Sequence, residues 1–422
     1  MSADRIAVLA TLDTKGAEAM FLAELLRQNG HEPCVIDTGF RHPPMGRPDV
    51  DRRAVSREAG FDFARVQVSA REVAVRAMGE GAGRLLARLA AEGTVVGVIA
   101  LGGSQGMAIA GIAFQRLPLG FPKVVVSTVA PGNLRGYFRH KDVTVLFSVG
   151  DLLGGPNLVS RPVLAAAAAA IGGMVDVALG FDGSGAPAIA ATALGNTQAA
   201  LTTAQAVLEE QGCELVAFHA SGAGGSAMEE LIEAGYFAGV ADLTTHELLG
   251  EIFRDDLYAP TRPGRLTAAA RRGLPQVIAP GGLDFFSFGS PDTIPVRCRG
   301  RPVHMHNPFN AHVRTSAPEL SKVGELLAAR LNATRPGTAA FLHPLRGFSE
   351  VGGPGGPLEN AEADEALLES LRENLSPDVE LHVLDVAIND RRFAEKAAEV
   401  LLRLLEATLD ELPTQEDAAA PP

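Results

Sequence analysis

The segment HMHNPFNAHVRT, residues 304–315, places three histidines, two asparagines and an arginine within twelve positions. His304 and His306 stand two apart, so in a strand they point to one face, which is the geometry of a metal pair. Asp284, in GGLDFF, would add a carboxylate ligand, and His219 a further imidazole. Histidines that only hydrogen-bond at strand ends give the same pattern, and no HExxH or clustered carboxylate motif accompanies it. His306, Asn307 and Arg314 read equally well as a grip on phosphate or carboxylate, because arginine holds such groups through two parallel hydrogen bonds. Glu229 and Glu247 are candidates for a general base or a magnesium ligand, set against the ordinary solvated helical glutamate. His306, Glu229, Glu247 and Arg314 therefore form the candidate catalytic set, and His304 and Asp284 the candidate metal ligands.

Several small-residue loops have the chemistry to hold an anion. GGSQG (Gly102, Gly103, Ser104 and on to Gly106) and GAGG (Gly222, Gly224 and Gly225 about Ala223) each follow an apolar run and precede a helical one. A helix N-terminus offers free N–H groups, and glycine lets a phosphate approach the backbone. Ser104, Ser221 and Ser226 add hydroxyls, as do Ser127 and Thr128 in STVAPGN. In TLDTKG, Asp13 and Thr14 are placed to cap the next helix. Lys15 would stand where the helix dipole disfavours a cation, which points to an anionic partner or to a solvated side chain. Every α/β fold needs small residues in such turns. Neither glycine loop matches GxxxxGK[ST] or a strict GxGxxG.

The elements that must position these loops alternate. Apolar runs such as IAVLATLD, VVGVIALGG, PKVVVSTVA and LVAFHA are each followed by a helical pattern, the signature of parallel sheets covered on both faces. The stretch from Arg41 to Arg65 is polar and proline-rich and reads as an excursion. After GFDGSGAP the plan repeats: PAIAATALGNTQ matches the opening strand and loop, and LVAFHASGAGG matches VIALGGSQG. We expect an α/β protein of two Rossmann-like domains with mainly parallel sheets, 1–180 and 181–410, followed by a disordered tail, 411–422. Ligands in such sheets sit outside the carboxyl ends of the strands, and a cleft between the domains is the expected pocket. The Ala-rich segment from Val163 to Met174 should pack closely against another element near the domain boundary or across a two-fold axis.

Composition narrows the function. A net charge of -13 over 422 residues, no tryptophan and 5% aromatics argue against nucleic-acid binding. The Ala-rich segment is interrupted by Asp176 and lacks the leucine density of a membrane span. Three widely spaced cysteines and an N-terminal sequence without a basic, apolar signal pattern point to the cytoplasm.

The motifs TLDTKG, IDTG, ALGGSQG, LPLGFPKVVVSTVA, FHASGAGGSAMEELIEAG, DLTTHEL, PQVIAPGGLDFFSFG and HMHNPFNAHVRT together resemble the UPF0261 family, the Tm-1-like ATP-binding proteins, from Ile6 to about Phe393. The resemblance implies two α/β domains, ATP binding and a homodimer. It supplies no reaction. The chain departs from the family pattern at Gln105–Met107, at Ala130–Gly132 and in FRDDLYAPTRPGR, all near the expected ligand loops. Three functions follow as expectations: an ATP- and Mg2+-dependent enzyme acting on a small carboxylate or related metabolite, a nucleotide-binding regulator without turnover, or a lyase or hydrolase dependent on another divalent metal.

Overall fold

Along the first strand, alternate side chains enter different cores: Ala7 and Leu9 face one layer of helices, Ile6, Val8 and Ala10 another. The computed structural model describes residues 5–177 and 185–410. The 411–422 tail and residues 180–184 of the linker lie outside the described residues. The chain divides into two compact units, Met1–Phe181 and Asp182–Pro422.

The N-terminal unit runs β1 (Arg5–Ala10), α1 (Leu12–Gln28), β2 (Glu32–Asp37), α2 (Arg52–Glu58), α3 (Phe63–Val68), α4 (Arg71–Ala91), β3 (Val95–Gly102), α5 (Ser104–Phe114), β4 (Lys123–Ser127), α6 (Arg135–Phe138), β5 (Thr144–Phe147) and α7 (Ser160–Asp176). The sheet is fully parallel in the order β2-β1-β3-β4-β5. Helices α4 and α5 cover one face, α1 and α7 the other. The Arg41–Arg65 excursion is partly helical. Asp51 and Asp62 each accept a backbone N–H at the start of α2 and α3, signals that the polar, proline-rich composition obscures.

The Ala-rich helix α7 lies on its own sheet. Leu164, Ala167, Ala168 and Ile171 are fully buried with Val8, Ile99 and Val124 of β1, β3 and β4. Gly97 accommodates this approach, since a side chain there would begin 2.7 Å from Val175. The small residues therefore serve close helix–sheet packing inside one unit.

The C-terminal unit runs β6 (Ala188–Ala193), α8 (Gln198–Glu210), β7 (Glu214–His219), α9 (Ala223–Ala234), β8 (Gly239–Asp242), α10 (Glu247–Phe253), α11 (Ala268–Arg272), β9 (Gln276–Ile278), β10 (Phe285–Phe288), β11 (Val303–Asn307), β12 (Asn310–Arg314), α12 (Ala317–Leu331), β13 (Ala339–Pro344), α13 (Ala361–Asn374), β14 (Glu380–Leu384) and α14 (Arg391–Asp410). Its six-stranded sheet is also parallel, in the order β14-β13-β9-β8-β6-β7. Strands β10, β12 and β11 form a separate antiparallel sheet. The two parallel sheets share one winding: the second strand of each unit lies outside the first, and the third lies on the first strand's other side.

This order corrects one correspondence drawn from the sequence. LVAFHA forms β7, an edge strand, so it occupies the place of β2 and not of β3. The unit-two equivalent of β3 is β8, which leads into LTTHE. Strand order is a matter of long-range pairing and is invisible in a similarity between two glycine turns.

Candidate functional site

In the N-terminal unit the strand order reverses between β1 and β3, and the loops after these strands open at one sheet edge. Gly102 turns the chain there with φ +156, and Gly106 packs so close that its side chain would begin 3.1 Å from the Leu101 carbonyl. Helix α5 starts with Gly103 at its N-cap and no side-chain cap. The N–H of Met107 is bonded to the Gly103 carbonyl at 2.9 Å, whereas those of Ser104, Gln105 and Gly106 meet no acceptor among the described residues. Ser104 is exposed, and Thr128 Oγ1 lies 3.3 Å from where a Gly103 side chain would begin. Ser127 turns inward and accepts the Val129 N–H at 3.2 Å. The structure thus brings Gly102, Gly103, Ser104 and Thr128 together around an open set of amides.

TLDTKG does something else. The expected caps are absent: Asp13 lies inside the first turn of α1, and Asp37 at the end of β2 accepts the Leu12 N–H at 3.1 Å. Asp13 instead accepts the consecutive N–H groups of Phe40, Arg41 and His42 at 3.1, 2.9 and 3.3 Å, which folds the chain after β2. Thr14 is exposed and shares a 2.8 Å hydrogen bond with Thr11. Lys15 leaves the helical region (φ -126, ψ 19) and donates to the Leu152 carbonyl. Its charge is directed at a carbonyl of its own unit.

The GAGG loop is occupied by the protein's own carboxylate. Glu247 accepts the N–H groups of Gly222 and, at 3.2 Å, Gly225. A side chain at Gly225 would begin 1.7 Å from Glu247 Oε2, and one at Gly224 would begin 2.1 Å from the His219 carbonyl. These glycines admit Glu247 and the preceding turn. Arg265, 1% exposed, joins Glu247, Glu229 and Asp242 at 2.5, 2.7 and 2.6 Å through its three nitrogens. Glu229 also accepts the N–H groups of Leu266, Thr267 and Ala268 at the start of α11. Ser221 is half-buried beside this knot. Burial pushes the Glu247 carboxyl up, against the pull of Arg265. Glu229 and Glu247, expected as a base or magnesium ligands, are consumed as internal ion pairs. Arg265 carries no sequence signal, standing as one of three arginines in the proline-containing loop FRDDLYAPTRPGR.

The histidine segment forms β11 and β12. His304 is half-buried, and His306 and Asn307 are exposed. Their rings face His312 at centroid distances of 6.2 Å for His304 and 5.0 Å for His306, the latter stacked at 17°. His312 stacks in turn on Phe285 at 4.2 Å, and Phe285 lies 4.9 Å from His246. Burial, then the charges of His246, His306 and His304, lower the His312 pKa to about 3, so this ring stays neutral. His246 in DLTTHEL, not singled out in the sequence, bonds the Gly282 carbonyl at 2.6 Å and Asp256 at 3.2 Å. A carbonyl and a carboxylate on opposite nitrogens favour the protonated ring. Burial opposes that charge, but Asp256 and the carbonyl outweigh it and the pKa is raised. His246 is therefore a buried group that ties the Gly282 turn to Asp256.

The remaining sequence candidates are enclosed. Arg314, 2% exposed, bonds Asp364 at 2.5 Å and the carbonyls of Asp284 and Asn360. Asp284, fully buried, accepts from Ser349 at 2.7 Å. Arg314 thus has internal partners while His306 and Asn307 face solvent. Among the described residues no three of His, Cys, Asp and Glu come together to hold a metal.

Two family descriptions match this chain, "Uncharacterised protein family (UPF0261) N-terminal domain" over residues 4–180 and the corresponding C-terminal domain over 186–405. The chain belongs to the UPF0261 family. A UPF0261 protein of Clostridium tetani (strain Massachusetts / E88) is 37% identical over 404 residues, which cover 95% of this chain and 99% of that one. The ToMV resistance protein Tm-1(GCR237) of Solanum lycopersicum is 33% identical over 300 residues, 69% of this chain and 39% of the tomato protein. Among solved structures, the Streptomyces sp. SF2575 glycosyltransferase SsfS6 with thymidine diphosphate overlaps 66% of this chain and 82% of its own at 15% identity and a TM-score of 0.19, too loose a likeness to carry an argument. No described helix of this UPF0261 protein is long and apolar enough to cross a membrane.

Proposed function

We propose that this protein binds ATP with Mg2+ through the amino end of α5 and uses it in a reaction on a small carboxylate or related metabolite. The observation that carries the reading is the contrast between two helix starts. At α9 the amides are filled by Glu247, whereas at α5 three consecutive amides have no acceptor among the described residues. Three convergent N–H groups at the positive end of a helix dipole, with a glycine turn before them, fit a phosphate. Ser104 would donate its hydroxyl to the same group and Thr128 would flank it. A magnesium ion would take its oxygens from the phosphates and water, as it commonly does. Bound ATP would supply an activated phosphoryl group. His306, on β11 of the C-terminal unit, is the candidate of the catalytic set that stays exposed.

Gln105→Glu tests the seat. A carboxylate in the first turn suits the helix but repels a phosphate. ATP binding measured by calorimetry should weaken about tenfold or more, equivalent to ~1.4 kcal/mol, with the melting temperature unchanged or raised. Unchanged ATP affinity, or no heat with the wild-type protein at millimolar ATP, removes the reading.

A second reading, nucleotide binding without turnover, is favoured by one observation: Glu229, Glu247 and Arg314 are all spent on internal contacts. Release of inorganic phosphate in the presence of candidate carboxylates separates the two.

A further inference from the structure

The arginines best placed to take an anion lie in the excursion after β2. The Asp13 carboxylate turns the chain at Phe40–His42, which sets Arg41 and His42 at the surface. Asp51 caps α2 through the Ala54 N–H at 2.8 Å, so Arg52 and Arg53 occupy the first turn of that helix. Phe63, opening α3, lies beneath both: the Arg53 guanidinium is 5.6 Å and that of Arg52 5.9 Å from its ring centre. These residues line a cavity of about 380 Å³, with Pro43, Pro44 and Pro48 in its wall. That volume suits a small metabolite.

The charges facing the cavity are unbalanced. Arg52 pairs with Asp37 at 2.6 Å and donates to the His42 carbonyl at 2.5 Å, and its Nη2, closed off from solvent beside Gly39, has no hydrogen-bond partner among the described residues. Arg41 donates to the carbonyls of Gln67 and Ser69, which leave its charge uncompensated. Among the described residues neither Arg41 nor Arg53 belongs to an ion pair, and Asp51 is engaged as the cap. Two arginines in the first turn of a helix also oppose its dipole.

We propose that this cavity binds a small metabolite through an oxyanion, carboxylate or phosphoryl, held by Arg53 and Arg41 with Phe63 as the apolar wall. Guanidinium groups suit both anions, because their donors form a planar fork. The proposal does not rest on the nucleotide reading. The cavity stands at the end of β2, the edge strand, while α5 follows β3 on the other side of β1.

The test titrates inorganic phosphate and malonate separately into the full chain, followed by melting temperature and by NMR of arginine side chains. We expect a saturable response at millimolar concentration to at least one of them. Arg53→Gln should weaken it about tenfold or more, the loss of one charge-assisted contact. Gln105→Glu should leave it unchanged, which separates this cavity from the α5 seat. A response to phosphate alone assigns a phosphoryl ligand, and one to malonate alone a carboxylate. No saturable response to either, equal affinity in Arg53→Gln of unchanged ellipticity, or loss in Gln105→Glu overturns the proposal.

Discussion

Asp364 and Asp284 flank one guanidinium, that of Arg314, and all three are buried. Burial, opposed by Arg314 and reinforced by the nearby Asp284 charge, lifts the Asp364 pKa to about 7. Asp284 is raised as well, by burial first. A carboxyl whose folded pKa exceeds its unfolded one binds its proton more tightly when folded. Its contribution is complete below the unfolded value of 3.8 and is lost as pH rises towards about 7. Urea unfolding at a series of pH values should therefore show stability falling between about pH 4 and 7, and Asp364→Asn should flatten that slope. A variant whose slope matches the wild type would mean that Asp364 is ionised throughout. At this scale the sequence was legible in residue type and poor in role. Glu229, Glu247 and Arg314 carry the right chemistry, but only the fold reveals that each is already paired. His246 and Arg265, which organise those pairings, sit in stretches with no periodic or spacing signal.

Helices and strands were more legible than residues, because the alternation of apolar runs with amphipathic ones reports burial directly. β1, β3 and β4 emerge where continuous apolar runs occur, each ending in a small-residue loop. The partner of an element was not legible. The Ala-rich helix α7 was expected at a boundary or a two-fold axis, and it covers its own sheet with Ala167 fully buried. Ala167→Arg should consequently destabilise the N-terminal unit by several kcal/mol, because a guanidinium would be forced among Leu164, Ile171 and the strands without a counter-charge. The check is circular dichroism melting of the full chain. A variant that melts like the wild type but changes its mass in light scattering would place Ala167 at a contact between copies instead. The same limit explains the mistaken match of β7 to β3, since two turns rich in glycine look alike whatever strands they follow.

Over the whole molecule, anions are treated in a consistent way. The net charge is -13, yet carboxylates recur at helix starts: Asp37 at α1, Glu247 at α9, Glu229 at α11. Each unit has its own cores, and each fills most of its helix starts from within. The starts of α4 and α5 are not filled in this way, and the start of α5 and the uncompensated arginines of the excursion both belong to the N-terminal unit. In so acidic a chain such sites are local positive wells, attractive to anions at low salt and weakened as salt rises. Gly225 carries a final consequence. Its missing side chain is the space into which Glu247 extends, so the glutamate behaves as a tethered ligand lodged in a receptor that the rest of the fold has built. Cutting the tether in Glu247→Ala leaves Arg265 and two amides around a hollow the size of a carboxylate. That variant should lose stability by about 3–5 kcal/mol. Formate or acetate should then raise its melting temperature in a saturable way and by more than it raises that of the wild type.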